Sequence, residues 1–490
     1  MLSEFLLCEM SRLGASDDLP LHRQLYESLR RAMLDGKLSS GERLPSSREL
    51  AADLKLSRNT VVAAMNQLTV EGYLSSHVGS GTYVNDSVPR VTPMASGGFA
   101  PQQARLSQRG SALATTFCAS ALEIQPFTGG IADFSAFPTA LWQRLQNKHW
   151  RMSYPDMLDY SSSGGYAPLR RAVADYLRVF RSVQLDANQV IITSGTQQSL
   201  ELCAHMLADH GSTVWVEDPC YWGAVKAFMA TGVRLHGVRV DEQGIAPQAG
   251  DEAAAPRMIY VTPSHQYPTG AVMSLARRHQ LLAMARKHEA WILEDDYDSE
   301  FRFSGPPISS LQGLDQDARV LYMGSFSKVL YPGLKLGYLV VPAQLVGAFK
   351  DAHYDLNRPG QLPLQAALAE FIEMGHFSSA LRRARQSYSE RRRCLLEALK
   401  PCLGSRAQIT GAEQGLHLCL RLAANVDDVA LAQRISQLGM VVRPLSAYCI
   451  ARGDVKGLVI GYGYAPLSDI ERFGPRLASA IKSEAVRLGL

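Results

Sequence analysis

Apolar residues near the start of the chain have the spacing of an amphipathic helix. Leucine or methionine recurs at every fourth position from Leu21 to Met33, and polar residues fill the intervening positions. The pattern predicts a helix over Leu21–Asp35 whose apolar stripe packs inward, and Gly36 is a natural end for it.

Two further helices are predicted directly after the first. Ser46 and Glu49 have the spacing of a capping box, so a helix is expected to begin there and to end near Leu54. Ser57 is the expected N-cap of the next helix, which the apolar positions extend over Arg58–Val70. The segment Ser75–Val84 then has the pattern of two short strands around a glycine turn.

The pattern changes twice in the rest of the chain. Residues 85–125 are rich in Ser, Pro, Gly, Ala and Gln and lack sustained periodicity, which predicts a linker. From about Pro126 onward, helix-length segments alternate with short apolar runs, among them Gln189–Thr193, Thr213–Glu217, Arg257–Val261, Trp291–Glu294 and Val320–Met323. This alternation predicts an α/β body over residues 126–490 with a mostly parallel sheet. Residues 1–19 are then expected to be an N-terminal tail and residues 20–84 a separate small domain.

Composition narrows the class of protein. The 490 residues carry a net charge of +4, which is too small to indicate nucleic-acid binding by itself. Eight cysteines occur without a C-x-x-C pair, so we expect a reducing compartment, no zinc and no other metal site. Neither a signal peptide nor an apolar run of membrane-spanning length is recognisable, and we expect a cytoplasmic protein without a membrane partner.

The small domain has the order of elements that reads DNA. A helix, a tight turn, a second helix and a strand pair place the N-terminal turn of the second helix in the major groove. The run LPSSRELAADLKLSRNTVVAAMNQLTVEGYLSSHVGSGTYV resembles the GntR-type winged helix-turn-helix. The alternative is a three-helix packing module without a DNA function. The candidate DNA-binding residues are Arg43, Arg48, Arg58, Thr60, Gly79 and Ser80.

The large body carries a set of residues suited to pyridoxal 5'-phosphate (PLP). Lys328 follows a predicted strand in a loop rich in Ser and Gly, where a desolvated lysine can hold an aldehyde as a Schiff base. Asp295 ends another predicted strand and can keep a pyridine nitrogen protonated. Residues 195–197 open a helix whose amides suit a phosphate, and Tyr221 can stack on a ring.

In this order, and together with Thr262–Gly270, these motifs resemble fold-type I aminotransferases along nearly all of residues 126–490. The two modules together resemble the MocR/GabR type of bacterial transcriptional regulator. The resemblance implies a winged helix-turn-helix joined by a linker to a fold-type I PLP-dependent aminotransferase-like domain with a smaller C-terminal domain. It also implies a homodimer with active sites at the subunit interface, in which the DNA-binding domain of one subunit rests on the other subunit.

The resemblance assigns roles to individual residues. Lys328 corresponds to the Schiff-base lysine and Asp295 to the partner of the pyridine nitrogen. Tyr297 corresponds to the partner of the phenolic oxygen, and Tyr221 to the stacking ring. The residues implied around the phosphate are Gly195, Thr196, Gln197, Ser325, Ser327 and Lys335, with Tyr160 reaching in from the partner chain.

Two departures from ordinary aminotransferases bear on function. Tyr267 stands where they carry the asparagine that contacts the ring oxygen, and we expect His265 or Gln266 to substitute for it. Leu458 aligns with the arginine that clamps a substrate carboxylate, so efficient transamination of ordinary amino acids is not expected. Arg443 is the candidate effector-binding replacement, and a structural role is its alternative.

Three functional hypotheses remain at this point. The first is a PLP-dependent, DNA-binding transcriptional regulator that senses a small amine, an amino acid or PLP, with no more than weak transaminase activity. The second is an active aminotransferase with a vestigial or autoregulatory DNA-binding module. The third is a regulator that no longer binds the cofactor, and Lys328 and Asp295 argue against it. The basic run over residues 382–393 is expected to be a solvated helix face, with a DNA-backbone contact as the alternative.

Overall fold

The computed structural model describes residues 2–16, 19–77, 80–86, 105–115, 124–135, 137–152, 154–161, 163–305, 308–404 and 407–487. The chain divides into two compact units, Met1–Arg105 and Leu106–Leu490, which we call the N-terminal unit and the C-terminal unit. No helix in the described ranges combines the length and the apolar character that crossing a membrane requires.

The N-terminal unit is a small helical domain with a two-stranded antiparallel ribbon. Its apolar core includes Leu25, Leu29, Leu50, Val61 and Leu68, all fully buried. Its elements are α1 (Leu2–Ser16), α2 (Leu21–Leu34), α3 (Ser47–Leu54), α4 (Arg58–Val70), β1 (Leu74–His77) and β2 (Gly81–Val84). The predicted helices and strand pair of this domain are confirmed.

Side-chain caps explain why α3 and α4 begin where they do. The Ser46 hydroxyl accepts a hydrogen bond from the Glu49 amide at 3.3 Å, and the Glu49 carboxylate accepts one from the Ser46 amide at 2.8 Å. The Ser57 hydroxyl caps α4 by accepting from the Thr60 amide at 3.1 Å. Lys55, in the left-handed conformation at φ 54°, ends α3 and allows the tight turn between the two helices.

The segment expected to be an N-terminal tail, residues 1–19, includes a helix over residues 2–16. These residues form α1, and Leu6 and Met10 are buried in the core of the N-terminal unit. Glu9 pairs with Arg31 of α2 at 3.1 Å. Apolar residues four apart lie on one face of a helix, so α1 can bury that face even though Glu9 interrupts the apolar run.

The C-terminal unit contains an α/β body followed by a smaller antiparallel sheet. The elements of the α/β body are α5 (Gln108–Thr115), α6 (Thr139–Arg151), α7 (Ala167–Arg181), β3 (Val190–Thr193), α8 (Thr196–Leu207), β4 (Thr213–Asp218), α9 (Trp222–Thr231), β5 (Arg234–Asp241), β6 (Gly244–Ile245), β7 (Met258–Val261), α10 (Leu275–Lys287), β8 (Trp291–Asp296), α11 (Leu311–Leu314), β9 (Val320–Ser325) and β10 (Gly337–Val340). The later elements are α12 (Val346–Asn357), α13 (Leu362–Glu373), α14 (His376–Leu399), β11 (Ala407–Thr410), β12 (His417–Leu422), α15 (Asp428–Gln437), β13 (Arg443–Pro444), β14 (Lys456–Gly461) and α16 (Leu467–Arg487).

The large sheet has the strand order β3-β10-β9-β8-β7-β4-β5-β6. The central strands from β9 to β5 are parallel, whereas β10 pairs antiparallel with both β3 and β9. All five apolar runs chosen from the sequence are strands of this sheet, and they are continuously apolar because helices cover both sheet faces. The parallel strands direct their C-terminal ends to a common edge, which positions the site described below.

The smaller sheet has the antiparallel order β11-β12-β14-β13. Within the predicted linker of residues 85–125, the structure describes a helix, α5, which belongs to the C-terminal unit and lies against α9. Residues 87–104 and 116–123 lie outside the described ranges, so most of the linker prediction stays untested.

The basic run on α14 is not simply a solvated face. Arg391 is buried and pairs with Asp133 at 2.5 Å, and it also donates to the Gly463 carbonyl. Arg385 donates to the backbone carbonyl of residue 300, and Arg392 to that of residue 412. The expectation fails for these three arginines because a guanidinium can reach backbone carbonyls that a helix pattern does not reveal. Arg382, Arg383 and Arg393 are exposed as expected.

Candidate functional site

A cavity of about 350 Å³ lies where the ends of β8 and β9 meet the start of α8. Ligands of open α/β sheets bind at this edge, beyond the carboxyl ends of the parallel strands. The structure brings most of the predicted site residues to its wall, namely Gly195, Thr196, Gln197, Tyr221, Asp295, Tyr297, Ser325, Ser327, Lys328, Lys335 and Arg443.

Lys328 follows β9 and extends into the cavity. Its ammonium group donates a hydrogen bond to the Gly130 carbonyl at 2.5 Å. Burial lowers the pKa of Lys328, while Asp298 and Asp295 oppose that shift. A lysine whose pKa is lowered in this way more readily supplies the neutral amine that attacks a carbonyl carbon.

Asp295 lies at the end of β8 and is 3% exposed. Its Oδ2 accepts a hydrogen bond from the Tyr260 hydroxyl at 2.8 Å, whereas its Oδ1 has no hydrogen-bond partner among the described residues. Burial raises the pKa of Asp295 to about 7. A protonated donor inside the cavity would therefore find a hydrogen-bond acceptor in the Oδ1 atom of Asp295. Such a donor would also favour the ionised form of the Asp295 carboxyl group.

One end of the cavity suits an anion. Gly195, at φ 104°, precedes α8, and no side chain caps the first turn of this helix. Ser325 and Ser327 join through their hydroxyls at 2.9 Å, and the exposed Lys335 adds a positive charge at this end. Uncapped helix amides, hydroxyls and a cation are the groups that commonly hold a phosphate.

Aromatic rings form another part of the wall. Tyr267 meets Tyr221 and Tyr297 edge-on, each with ring centroids 5.7 Å apart. Glycine at position 223 makes room for the Tyr221 ring in its present position, because a Cβ there would lie 2.4 Å from that ring. Tyr267 stands where ordinary aminotransferases carry an asparagine. Its hydroxyl lies 3.1 Å from the hydroxyl of Tyr448, so a hydrogen bond between the two phenols holds Tyr267 in place.

Arg443 reaches the cavity from the smaller sheet. It lies on β13 opposite Val459 and is 7% exposed. Leu458 is fully buried between Leu420 and Pro444 of the neighbouring strands and does not line the cavity. Among the described residues, Arg443 is therefore the arginine that the smaller sheet contributes to the cavity wall.

The expectation that His265 or Gln266 contacts a ligand directly is corrected by the structure. His265 is buried behind Tyr297, with its Nδ1 3.1 Å from the Tyr297 hydroxyl. The amide of Gln266 donates instead to Glu217 and to backbone carbonyls. Tyr160, which was expected to reach the site of the partner chain, lies away from the cavity wall of its own chain and is 56% exposed, so that expectation stays a prediction.

Several residues of the wall were missed by sequence reasoning. Tyr260 hydrogen-bonds Asp295, and Gly130 accepts from Lys328. The consecutive glycines at positions 129 and 130 could have indicated that the backbone approaches another group closely there. The other missed residues show no pattern in the neighbouring sequence. The remaining missed wall residues are Ser194, Trp222, Thr262, Tyr267, Asp298, Pro332, Leu416 and His417.

Three buried groups beside the cavity have the residue types of a metal site. The ligand atoms of His265, Asp298 and His417 all lie within 4.8 Å of one another. Hydrogen bonds already join His265 to Asp298 at 2.9 Å and His417 to the Pro268 carbonyl at 3.1 Å. We therefore interpret the cluster as hydrogen-bonded side chains.

The candidate DNA-binding residues of the N-terminal unit lie on its surface. Arg43, Arg48, Arg58 and Ser80 are exposed, and Thr60 is half-buried at the start of α4. The backbone of Arg43 forms a β-bridge with Tyr83, which joins the loop before α3 to the ribbon. Gly79 lies outside the described residues.

Comparisons with known protein families match both units. The family of bacterial regulatory proteins named gntR matches residues 21–84, and the family aminotransferase class I and II matches residues 136–456. The solved structure of LysN, the α-aminoadipate aminotransferase of Thermus thermophilus complexed with N-(5'-phosphopyridoxyl)-L-leucine, superposes with a TM-score of 0.67 and 29% identity. That superposition covers 74% of this chain and 93% of LysN.

Two relatives share the complete arrangement of units. The probable rhizopine catabolism regulatory protein MocR of Rhizobium meliloti is 39% identical over 92% of this chain and 91% of its own. The pyridoxine biosynthesis transcriptional regulator PdxR of Corynebacterium glutamicum is 31% identical over 92% of this chain and 94% of its own.

The fold and the site define a GntR-type winged helix-turn-helix joined to a fold-type I aminotransferase-like domain. This is the architecture of DNA-binding regulators that carry an aminotransferase-like domain. The chain belongs to the MocR/GabR-type family of transcriptional regulators.

Proposed function

We propose that this regulator binds PLP in the cavity around Lys328 and uses it to sense a small amine, an amino acid or PLP itself. The N-terminal unit binds operator DNA, and occupation of the cavity changes the affinity for that DNA. The observation that carries the proposal is the convergence of Lys328, the buried Asp295 and the anion-suited end of the same cavity.

The residues present fit the cofactor. The Oδ1 of Asp295, buried and without a hydrogen-bond partner in the described part of the chain, suits the protonated pyridine nitrogen. Tyr221 suits the ring face, and the start of α8 with Ser325, Ser327 and Lys335 suits the phosphate. When bound through Lys328, PLP supplies an electrophilic carbon to which a small amine can add.

Arg443 is our candidate for binding the effector. Its guanidinium lies in the cavity wall, and its charge lowers the pKa of the nearby Tyr267 against the raising effect of burial. A guanidinium beside phenol hydroxyls is suited to a carboxylate. Because Leu458 cannot supply that contact, we propose that an effector with a carboxylate binds here through Arg443.

The N-terminal unit is proposed to contact DNA through the first turn of α4 and the ribbon. Arg58 and Thr60 begin α4, the helix that would enter the major groove. Arg43 and Arg48 are exposed near the start of α3, and they would contact the phosphate backbone together with Gly79 and Ser80.

A homodimer is proposed for the C-terminal unit. Large apolar side chains are exposed along one short segment, from Trp150, at 59%, to Tyr160, at 56%, with Met152, Tyr154 and Leu158 between them. Exposed apolar patches of this kind mark protein interfaces. We propose that this segment meets a second copy, that Tyr160 reaches the partner's cofactor site, and that the DNA-binding domains exchange between subunits.

Regulation then follows from differential binding. An effector can shift the DNA-bound population only if its affinity differs between the DNA-competent and DNA-incompetent states of the dimer. The cavity uses side chains from both the large sheet and the smaller sheet, so a ligand that contacts Lys328 and Arg443 together would bias their relative position.

A second candidate function is an active aminotransferase. It is favoured by one observation, that Lys328 and Asp295 are both in place at the cavity. In this reading the N-terminal unit is vestigial or autoregulatory. The two candidates differ in what a bound amino acid does, because a sensor holds its ligand and an enzyme converts it.

The visible spectrum tests both candidates. The purified full-length protein is recorded with and without PLP, and then with a panel of L-amino acids, D-amino acids and amines, while keto-acid formation is measured in parallel. A band that shifts with one compound at slow turnover supports the sensor, and rapid keto-acid formation supports the enzyme. Absence of a band after PLP addition refutes both.

A DNA-binding assay completes the test. An operator is selected from randomised duplexes, and its affinity is measured with and without the compound that shifts the spectrum. A changed affinity supports sensing. An affinity that stays the same at saturating ligand would refute it, whatever the spectrum shows.

A further inference from the structure

A buried histidine and a buried aspartate lie beside Tyr297. His265 and Asp298 are each 1% exposed. The Nδ1 of His265 lies 2.9 Å from Asp298 Oδ2 and 3.1 Å from the Tyr297 hydroxyl oxygen. The rings of His265 and Tyr297 are nearly parallel, at 22°. Tyr297 and Asp298 both line the cavity, whereas His265 does not line it and contacts it through these two side chains.

The donors and acceptors in this group determine the direction of the hydrogen bonds. An ionised carboxylate only accepts, so the bond to Asp298 requires a proton on Nδ1 of His265. A protonated Nδ1 cannot accept from the Tyr297 hydroxyl, and it can only donate to that oxygen. The phenol proton of Tyr297 is then directed away from His265.

The surrounding backbone is shaped to hold this pair. Position 415 is glycine at φ 84°, and a Cβ there would lie 2.2 Å from the His265 ring and 2.6 Å from the Asp298 carboxylate. Gly270 and Gly411 lie near the Nε2 atom of His265, but a Cβ at either position would first meet the backbone of the other glycine, at 2.2 and 2.7 Å. Gly415 is therefore the glycine whose missing side chain makes room for the His265 ring and the Asp298 carboxylate.

We propose that His265 and Asp298 are positioning residues that direct the Tyr297 hydroxyl proton into the cavity. Asp298 holds the proton on Nδ1 of His265, and this single N–H, which faces both Asp298 Oδ2 and the Tyr297 oxygen, leaves the phenol no acceptor on the His265 side. The phenol is thereby held as a donor to an anionic oxygen of the ligand. The inference rests on the proposed function, because that oxygen is the phenolic oxygen of PLP.

The test compares paired variants of the full-length protein loaded with PLP. His265→Ala removes the donor, whereas His265→Asn keeps an N–H near the Nδ1 position. A donor lost from an anionic oxygen raises the pH midpoint of the absorbance change of the bound cofactor. We expect an upward shift of about half a pH unit or more for His265→Ala, and PLP binding weakened by about fivefold to tenfold.

His265→Asn should restore most of the native pH midpoint and most of the native PLP affinity. Asp298→Asn should shift the midpoint in the same direction by less, because a neutral amide oxygen is a weaker acceptor. It also keeps the proposal testable if His265→Ala does not fold, and the thermal transition of the C-terminal unit reports on the folding of each variant. These variants leave unchanged the neighbouring titratable groups, which include Glu217, Tyr267, Asp295, Lys328 and His417.

A double-variant cycle separates positioning from a general structural role. Tyr297→Phe should shift the midpoint by itself, and adding His265→Ala should produce no further shift. A shift from His265→Ala that is as large in the Tyr297→Phe background as in the native protein would overturn the proposal. So would a native midpoint in both His265→Ala and Asp298→Asn.

Metal analysis provides an independent check. One equivalent of zinc in the purified protein, lost in His417→Ala, would overturn the hydrogen-bonded interpretation of the cluster. Failure of the proposed function is distinguishable, because the native protein would then show no visible band with PLP. If the native protein shows a visible band with PLP and the variants keep the native pH midpoint, only the positioning role of His265 and Asp298 is refuted.

Discussion

The two units of this protein carry their functional residues in opposite ways. In the N-terminal unit, Arg43, Arg48 and Arg58 are exposed and lie within a short stretch of sequence around two capped helices. In the C-terminal unit, Lys328 and Asp295 line a cavity together with residues as distant in sequence as Gly129 and Arg443. One unit presents a charged surface, and the other encloses a reactive cavity.

The difference follows from the ligands. DNA is large and highly charged, so exposed cations on a rigid scaffold can meet it without being desolvated. A small ligand must be surrounded, and the groups that surround it lose water. Burial raises the pKa of Asp295 to about 7 and lowers the pKa of Lys328, so both groups of the enclosed site are shifted toward their neutral forms.

The largest expected effect comes from removing the proposed attachment point. Lys328→Ala should abolish the visible band that PLP gives, because the remaining polar contacts cannot form the covalent bond. Operator binding by the N-terminal unit should persist in the absence of effector. Absorbance spectra and mobility-shift assays measure the two properties, with Lys482→Ala, an exposed lysine on α16, as the control. An unchanged band would refute the assignment of Lys328.

The next effect is a pH dependence confined to the C-terminal unit. The unfolded chain releases the Asp295 proton near 3.8, whereas the folded, PLP-free protein retains it up to about 7. Between these values the unfolded state binds fewer protons, so stability falls as pH rises. Each unit of pKa difference corresponds to about 1.4 kcal/mol.

Thermal unfolding of the PLP-free protein between pH 5 and pH 8 measures this effect. Asp295→Asn should flatten the decline, since the amide does not ionise, and PLP should flatten it in the native protein by supplying a partner for the carboxylate. The exposed Asp175→Asn serves as the control. Equal slopes for the native protein and Asp295→Asn would contradict the assignment of a buried, destabilised carboxylate.

A smaller effect is expected at the DNA surface. Arg58→Ala should weaken operator binding by about 1–3 kcal/mol, the usual value for a lost base contact, with PLP content unchanged. Competition assays against a selected operator measure the loss, and Arg12→Ala, on α1, is the matched control. Retained specific binding would mean that α4 is not the helix in the major groove.

The smallest effect tests whether the units are energetically separate. Ser46→Ala removes the capping box of α3 and should destabilise the N-terminal unit by about 1 kcal/mol, whereas Ser46→Asp keeps an acceptor. Calorimetry should show a lowered transition for the N-terminal unit only, at unchanged PLP content. A matching drop in the transition of the C-terminal unit would show that the two units unfold together.

Sequence reasoning succeeded where the signal was local. The helix starts at Ser46 and Ser57 depend on a hydroxyl and an amide three residues away, so the printed sequence contains both partners. The five strands of the large sheet were recognisable because they are continuously apolar. The PLP motif residues at the ends of β8 and β9 followed from the same strands.

Sequence reasoning failed where the partner is remote. The first sixteen residues were interpreted as a tail because the surface that buries Leu6 is supplied by other helices. Arg391 was expected in solvent, but Asp133, far away in sequence, pairs with it. His265 was expected to touch the ligand, and only the folded structure shows Tyr297 between it and the cavity.

The division into two units, the capped helices of the DNA-binding module and the strands that precede Lys328 and carry Asp295 could all be predicted from the amino-acid sequence. These features depend on short-range periodicity and on hydrogen bonds between near neighbours. The entry of Arg443 into the cavity, the exclusion of Leu458 from it and the contacts of His265 with Asp298 and Tyr297 became visible only in the folded chain. Those outcomes depend on how strands from two sheets approach one another, and long-range packing is not encoded in the spacing of residues along the chain.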